Sequence, residues 1–467
     1  MHTKPKSKAA AVVARAALRS PVGLLLLFLL PGGAPGQEAR SNPPGARLTL
    51  VEAARLALER YPAVAASDAQ LWEAESAASK AASALWPTVQ LSATAMRFEE
   101  PMLVTPLHVF DPQAPAPFDE TLVQGTVTAR YTVWDGGERS GGIERARSES
   151  RAAAAGATGM RSRVVWQVTE QYARALAARE SLLAHEQRVR ALEEERDRAR
   201  HLFESGRAAE VQVLRANAAL AQADADLARS ATQLDVLLRE LARLIGAPDG
   251  TIDSGQLTRP RLTGTALLPR EQLVARALEN NPDVLRATAE VAAAGAGVKL
   301  ARGAFMPDVQ LVAQYDNRGS ADGDFFREWS VGGAVSVPLF QGGARLHEMD
   351  RAQARRDRSE RQLELSRLDT QNELDHALAA LHDADARERS LRSAVEQYTA
   401  VVKAEKLALD AGVGTQTDYL AAHADLLEAH AQLANAVMSG ITARAGIARI
   451  TGDLTVNWLR EHMENDQ

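Results

Sequence analysis

Cysteine is missing from all 467 residues, which excludes a disulfide framework, thiolate metal ligands, a cysteine nucleophile and an N-terminal lipid-bearing cysteine. Aromatic residues make up only 4% against 46% hydrophobic residues overall, and alanine supplies much of the difference. That balance favours long, closely packed helices over a bulky globular core. Beyond the N-terminus no apolar run is long enough for a membrane-spanning helix, so a membrane role requires a β-barrel. Signatures of catalysis are also lacking. No G-x-S-x-G, P-loop or dinucleotide fingerprint occurs, and the chain reads as a non-enzyme without a cofactor. Among ten histidines, His376/His382 are six apart and His423/His430 seven apart. No pair has the i, i+4 spacing that chelates on one helical face, so no metal site is expected.

What is present begins with a basic N-terminus. Lys4, Lys6, Lys8, Arg15 and Arg19 precede an apolar run over 22–30 and the small-residue stretch 31–36, with no acidic residue among them. This order describes a secretory signal over 1–36, too short in its apolar part to span a bilayer. Its removal leaves 49 basic against 60 acidic residues, a net charge of −11, which argues against a nucleic-acid partner.

The remainder is written twice. Ala57-Leu-Glu-Arg-Tyr-Pro-Ala-Val64 reads against Ala277-Leu-Glu-Asn-Asn-Pro-Asp-Val284 at an offset of 220, which also carries Pro87, Val89 and Leu91 onto Pro307, Val309 and Leu311. From Trp134-Asp-Gly-Gly137 and Phe340-Gln-Gly-Gly343 onward the offset is 206, and it holds through Gly206/Gly412, Leu214/Leu420 and Gly246/Gly452. The first repeat is assigned to 37–250 and the second to 270–452, with a linker over 251–269 and a tail over 453–467. The extra residues of the first half fall at the Pro-rich stretch 101–119, expected to be a solvent-facing loop. The linker and tail are expected to form a collar.

Two periodicities alternate within each repeat. Thr49-Leu-Val-Glu52 opens a helix, Tyr61-Pro62 breaks it and Trp86-Pro87 ends it. Period-two alternation then predicts strands over 88–98 and 122–134, and in the copy over 308–316 and 328–340. Val89, Leu91, Ala93 and Ala95 oppose Gln90, Ser92 and Thr94, and the other three segments behave alike. Long helical hairpins are expected over 138–246 and 344–450, turning at Gly206 and Gly412. Residues 138–203 contain no proline, which allows about 100 Å of helix. Val168, Ala175, Leu182 and Val189 recur every seven residues, the mark of helices packed along a seam.

Four amphipathic strands cannot close a barrel alone. Three copies would give twelve, with the apolar face toward lipid and the polar face toward water. Trp86, Trp134, Phe305 and Phe340 lie near one set of strand ends, and Phe98, Phe325, Phe326 and Trp329 near the other, where membrane-interface aromatics belong. The competing reading is a periplasmic coiled-coil scaffold or adaptor without a pore. It accounts for the hairpins but not for the four alternating segments.

The doubled A-L-E-x-x-P-x-V motif, the W-D-G-G and F-Q-G-G turns and the tips at Gly206 and Gly412 together resemble the TolC-like outer-membrane efflux protein family. The resemblance covers nearly all of the chain after the signal. It implies a mainly α fold with a small β part: a homotrimer in the outer membrane, whose twelve strands form an open barrel and whose hairpins form an α-barrel extending into the periplasm. It also implies a periplasmic adaptor docked at the tips, at Gly206, Arg207, Gly412, Val413 and Gly414, which links the duct to an inner-membrane transporter. Asp418 falls where some members place the first of two constricting aspartates, while Ala421 replaces the second and Gln212 is the neutral counterpart at the first tip. A periplasmic gate would therefore involve Asp418, Gln212 and Asp425, with any cation-binding function weakened or shifted to Asp425 or Glu428. From position alone, Asp418 equally suits a helix cap, and the two roles are compatible.

Overall fold

The computed structural model describes residues 47–465 except 106–107, 109–112, 114–117, 264–266, 321–322 and 324, so the secretory segment expected over 1–36 lies outside the described residues. The described chain divides into two compact units. One comprises Ser83–Arg139 and Arg302–Arg345, the other Pro43–Ala82, Ser140–Ala301 and Leu346–Gln467.

Chain order is set by a few local signals. Helices α1 (Leu50–Arg60) and α2 (Pro62–Ser83) part at Tyr61, which is extended at φ −72 and ψ 120, because the ring of Pro62 disfavours helix in the residue before it. The Thr49 hydroxyl accepts from the Glu52 amide at 3.1 Å and caps α1. Strands β1 (Thr88–Leu103) and β2 (Phe118–Trp134) lead into α3 (Glu138–Glu204) and α4 (Glu210–Leu244). After the short β3 (Pro260–Leu262) the series runs again: α5 (Arg270–Asn280), α6 (Pro282–Gly303), β4 (Asp308–Gly319), β5 (Phe325–Ser336), α7 (Ala344–Asp410) and α8 (Gln416–Ile450). Helix α9 (Val456–His462) and β6 (Met463–Asn465) close the described chain. The duplication is visible in the lengths alone, since α3 and α7 have 67 residues each and α4 and α8 have 35 each.

Five strand limits differ from the alternation. β1 continues past 98 to Leu103 and β2 starts at Phe118, so much of the stretch 101–119 lengthens the hairpin instead of looping out. Pairing is interrupted between Arg97 and Met102 and resumes as Met102↔Asp119, with Pro101 in the irregularity, where no ladder hydrogen bond is required of it. Val104 and Thr105 are buried, contrary to a wholly solvent-facing loop. β4 runs beyond 316 to Gly319, and β5 occupies Phe325–Ser336 in place of 328–340. Pro338, which has no amide to donate, accounts for the early end, and Phe340 therefore lies outside the strand.

The first unit contains one antiparallel sheet of order β1-β2-β4-β5. The second is helical, and its core joins Leu50, Ala53, Ala54 and Ala57 of α1 to Val164, Val165, Val168, Tyr172 and Leu176 of α3, with Leu241 and Ile441 closing it. Alanine at so many of these positions lets helices approach closely. The seven-residue series of α3 starts fully buried at Val168 and Ala175 and ends exposed at Phe203, so the seam thins toward the hairpin tip.

Polar ties bind the connecting segments to α3. The buried Tyr172 hydroxyl lies 2.7 Å from the Leu48 carbonyl and 2.8 Å from that of Thr258, and Arg179 Nη1 donates to the carbonyls of Ser254 and Leu257. β3 pairs with β6, which brings the linker and the tail together within this unit. We expect Tyr172→Phe to remove this buried hydroxyl's hydrogen bonding and to cost about 1–3 kcal/mol. Thermal unfolding followed by circular dichroism should show a lowered midpoint with unchanged helix content.

Candidate functional site: a two-faced sheet and paired hairpin tips

Strand register sorts the side chains of the sheet into two chemistries. Leu91, Val127, Tyr315 and Trp329 stand directly opposite one another across all four strands, as do Val89, Ala129, Ala313 and Val331. These rows share one face, since opposed residues of antiparallel strands point the same way. That face is bare: Val89, Leu91, Trp329, Val331 and Val335 are each exposed by about 70%. An apolar surface of this continuity does not face water in a stable monomer.

The opposite face is polar and knit together. Asp316 accepts from the Thr126 hydroxyl at 2.6 Å, from Gln124 Nε2 at 3.0 Å and from Gln314 Nε2 at 2.7 Å. Arg318 pairs with Glu328 at 3.5 Å. β4 and β5 have 12 residues each, more than the roughly 9–11 a tilted strand needs to cross a bilayer. The outer edges of β1 and β5 have no strand partner among the described residues.

The aromatics do not all fall on the apolar face. Trp134 pairs with Val309 after a register shift that follows Thr132, and Trp329 sits opposite Tyr315. Phe326, however, shares its row with Arg318 and Gln124 and lies on the polar side. Trp86 and Phe340 are largely exposed, Phe325 and Phe305 less so and Phe98 half-buried. The guanidinium of Arg345 lies 5.3 Å from the Phe305 ring centre.

At each strand-to-helix turn an arginine reaches back across the unit. Arg139 Nη1 donates to the Ala84 carbonyl at 3.3 Å, and Arg345 Nη1 to that of Ala304 at 3.4 Å. These are the same contact in the two repeats, at the same offsets as the motifs. Sequence reading passed over them, although G-G-E-R and G-G-A-R carried the signal. The turns differ in one respect. Asp135 accepts from the amides of Gly137 and Arg139 and from Arg139 Nε at 2.7 Å, whereas Gln341 holds the equivalent position without a carboxylate. Burial opposes ionisation of Asp135, but the side-chain and backbone hydrogen bonds from Arg139 and that from Gly137 outweigh it and hold the carboxyl below its ordinary value.

Both hairpins turn on a glycine in the left-handed region, Gly206 at φ 72 and Gly412 at φ 74, a backbone shape that other residues adopt only with strain. Arg207 and Ala208 amides bond the Leu202 carbonyl, and Val413 and Gly414 amides bond that of Ala408. A Cβ at Gly414 would come within 2.9 Å of Ala408 Cβ, while Ala208 stands at the matching place of the first tip. The helix starts differ further. The Thr415 hydroxyl accepts from the Asp418 amide at 3.2 Å and donates to the Asp418 carboxylate at 2.6 Å. Ala209 and Gln212 replace that pair in the first tip, which has no side-chain cap.

Asp418, Gln212, Asp425, Arg207 and Val413 are all exposed. The two hairpins meet nearby. Leu420 packs on Val189, Leu192 and Ala223, and Arg198 hydrogen-bonds Gln416. Burial keeps His423 below its usual value, against the pull of Glu194.

The profile of the family described as Outer membrane efflux protein matches residues 53–247 and 273–453. Alkaline protease secretion protein AprF of Pseudomonas aeruginosa is 28% identical over 293 residues, covering 62% of this chain and 61% of that protein's length. Protein CyaE of Bordetella pertussis is 26% identical over 70% of this chain and 71% of its own. Among solved structures, the Campylobacter jejuni CmeC outer membrane channel superposes with a TM-score of 0.73 at 16% identity, covering 93% of this chain and 97% of that one. The outer membrane protein VceC of Vibrio cholerae superposes at 0.72 with 20% identity, covering 86% and 96%. These structures share the fold.

The Asp135 cap carries a pH signature. A carboxyl whose folded value is depressed adds stability above its unfolded value near 3.9 and loses it as pH falls through the lower folded value. Asp135→Asn should cost about 0.5–2 kcal/mol at neutral pH. The gap between wild type and variant in unfolding midpoint should close as the pH is lowered from 7 toward 3.

Proposed function

Because the chain belongs to the outer membrane efflux protein family, we propose that it is the outer-membrane channel of a tripartite efflux or type I secretion system. In this reading it passively conducts substrates handed over by an inner-membrane pump through a periplasmic adaptor, and performs no catalysis of its own. The observation that carries the reading is the sheet: one bare apolar face, one hydrogen-bonded polar face and two unpaired edges. Backbone amides and carbonyls left unpaired in hydrocarbon cost several kcal/mol each, so such a sheet enters a membrane only when closed into a barrel. Three copies supply twelve strands, with the polar face around the lumen.

The remaining assignments follow the same reading. Residues 1–36 direct export, and the repeats 37–250 and 270–452 each supply half of a protomer's wall. The tips at Gly206, Arg207, Gly412, Val413 and Gly414 receive the adaptor. Asp418, exposed beside its cap, gives the lumen a ring of three carboxylates, which Gln212 at the first tip does not reinforce. Asp425 and Glu428, about two and three turns further along, extend the negative lining. One of the named relatives is a protease secretion protein, and a polar-walled duct suits a polypeptide as well as smaller cargo.

Purified protein should require detergent for extraction and give discrete ion conductance in planar bilayers. Asp418→Ala should raise that conductance and weaken its block by divalent cations. Release from membranes by salt or alkali, with no conductance, would favour a non-channel periplasmic scaffold. An unchanged cation response in the variant would leave Asp418 as a helix cap alone.

A further inference from the structure

A cavity of about 740 Å³ in the helical unit is lined by α3, α7, α8 and the short strand β3. Its size is that of a small-ligand site. Leu183 of α3 and Leu427, Leu433, Val437 and Ile441 of α8 give it an apolar lining. Several of the charged side chains that also line it are engaged: Arg259 holds Glu180 at 3.1 Å, Arg392 holds Glu388 at 2.6 Å, and Arg261 has a partner as well.

Two charges in the same cavity are left over. Nε of Arg444 on α8 is buried and bonds no acceptor among the described residues. Asp385, on α7, is contacted by Arg389 Nε at its backbone carbonyl, 3.1 Å away, and not at its carboxylate. No ion pair joins Asp385 to Arg444 among the described residues, although both line the cavity.

The duplication shows that this is peculiar to the second repeat. At the offset of 206, Arg444 corresponds to Leu238 and Asp385 to Arg179. Leu238 packs against the core, and Arg179 donates to the carbonyls of Ser254 and Leu257. The first repeat therefore leaves no open charge at either place. In the second, an arginine stands in an apolar setting where a leucine serves the same helix position in the copy. A buried guanidinium N–H without an acceptor is unfavourable, which calls for an acceptor brought from outside.

We infer that this cavity is a binding site for a short apolar peptide in its zwitterionic form, with the peptide carboxylate on Arg444, its ammonium on Asp385 and its side chains against the leucines of α8. A carboxylate matches the planar fork of a guanidinium, and a primary ammonium donates to a carboxylate. Both bonds gain strength where water is thin. A plain anion would leave Asp385 unmet, a plain cation would leave Arg444 unmet, and an uncharged apolar ligand would leave both. The site lies within the helical unit of one protomer and does not depend on the channel reading.

The test is calorimetric titration of the full-length protein, in a nonionic detergent, with trileucine. Saturable binding is expected, weakened about tenfold or more by Arg444→Leu, which installs the residue of the first repeat, and likewise by Asp385→Asn. Trileucine amide, which lacks the carboxylate, should bind wild type as weakly as trileucine binds Arg444→Leu, and should lose nothing further in that variant. N-acetyl-trileucine should stand in the same relation to Asp385→Asn. The two modified peptides report on the unaltered protein, so the outcome holds even if a variant folds poorly. Absence of saturable heat with millimolar trileucine, or equal binding of all three peptides, overturns the site. Binding that needs both termini but is untouched by both substitutions places the peptide elsewhere and overturns it too.

Discussion

Backbone polarity at a sheet edge is the constraint on which this structure depends. A strand pair satisfies half of its amides and carbonyls internally and presents the rest outward, where water, another strand or nothing must meet them. Here the sheet has both a bare apolar face and two open edges. The face calls for hydrocarbon, and hydrocarbon does not tolerate the edges. Only closure by further strands meets both demands, and four strands are too few to supply it from one chain. Oligomerisation is therefore a condition of membrane insertion and not an addition to a finished protomer.

The helical unit meets a different demand with different residues. Its helices are far longer than those of ordinary globular domains, and no single core could cover them. Burial is concentrated where α1, α3, α4 and α8 converge around Tyr172, and it declines along the hairpins. Small residues keep the helices close, and much of the charge is spent on neighbouring pairs along exposed faces, such as Arg392 with Glu388. Such pairs contribute little to stability individually. Their effect is to keep an extended surface soluble.

Much of this was legible in the sequence because the physics involved is periodic. The doubled motifs, the switch from period two to period three and a half, and the glycines of both tips gave the fold class and the order of elements. Strand ends were less legible. Pairing partners decided them, and a partner 30 or 200 residues away leaves no local trace, as the extension of β1 past Arg97 and the polar-side position of Phe326 show. The arginine ties at Arg139 and Arg345 were present in the repeat but carry no period. Asp418 lies in the first turn of α8, but the residue that caps the helix is Thr415, whose hydroxyl accepts from the Asp418 amide and donates to its carboxylate.

The two tips are built to unequal strength. At the second, a hydroxyl, a carboxylate and a close-packed glycine secure the start of the returning helix. At the first, alanine, glutamine and alanine occupy those places, and the amides beyond Gly206 depend on the helix alone. Local opening requires least free energy where the fewest bonds must break. A pull on the two hairpins is thus absorbed first around Ala209. The first tip is in that sense the hinge of the pair, and the second its stop.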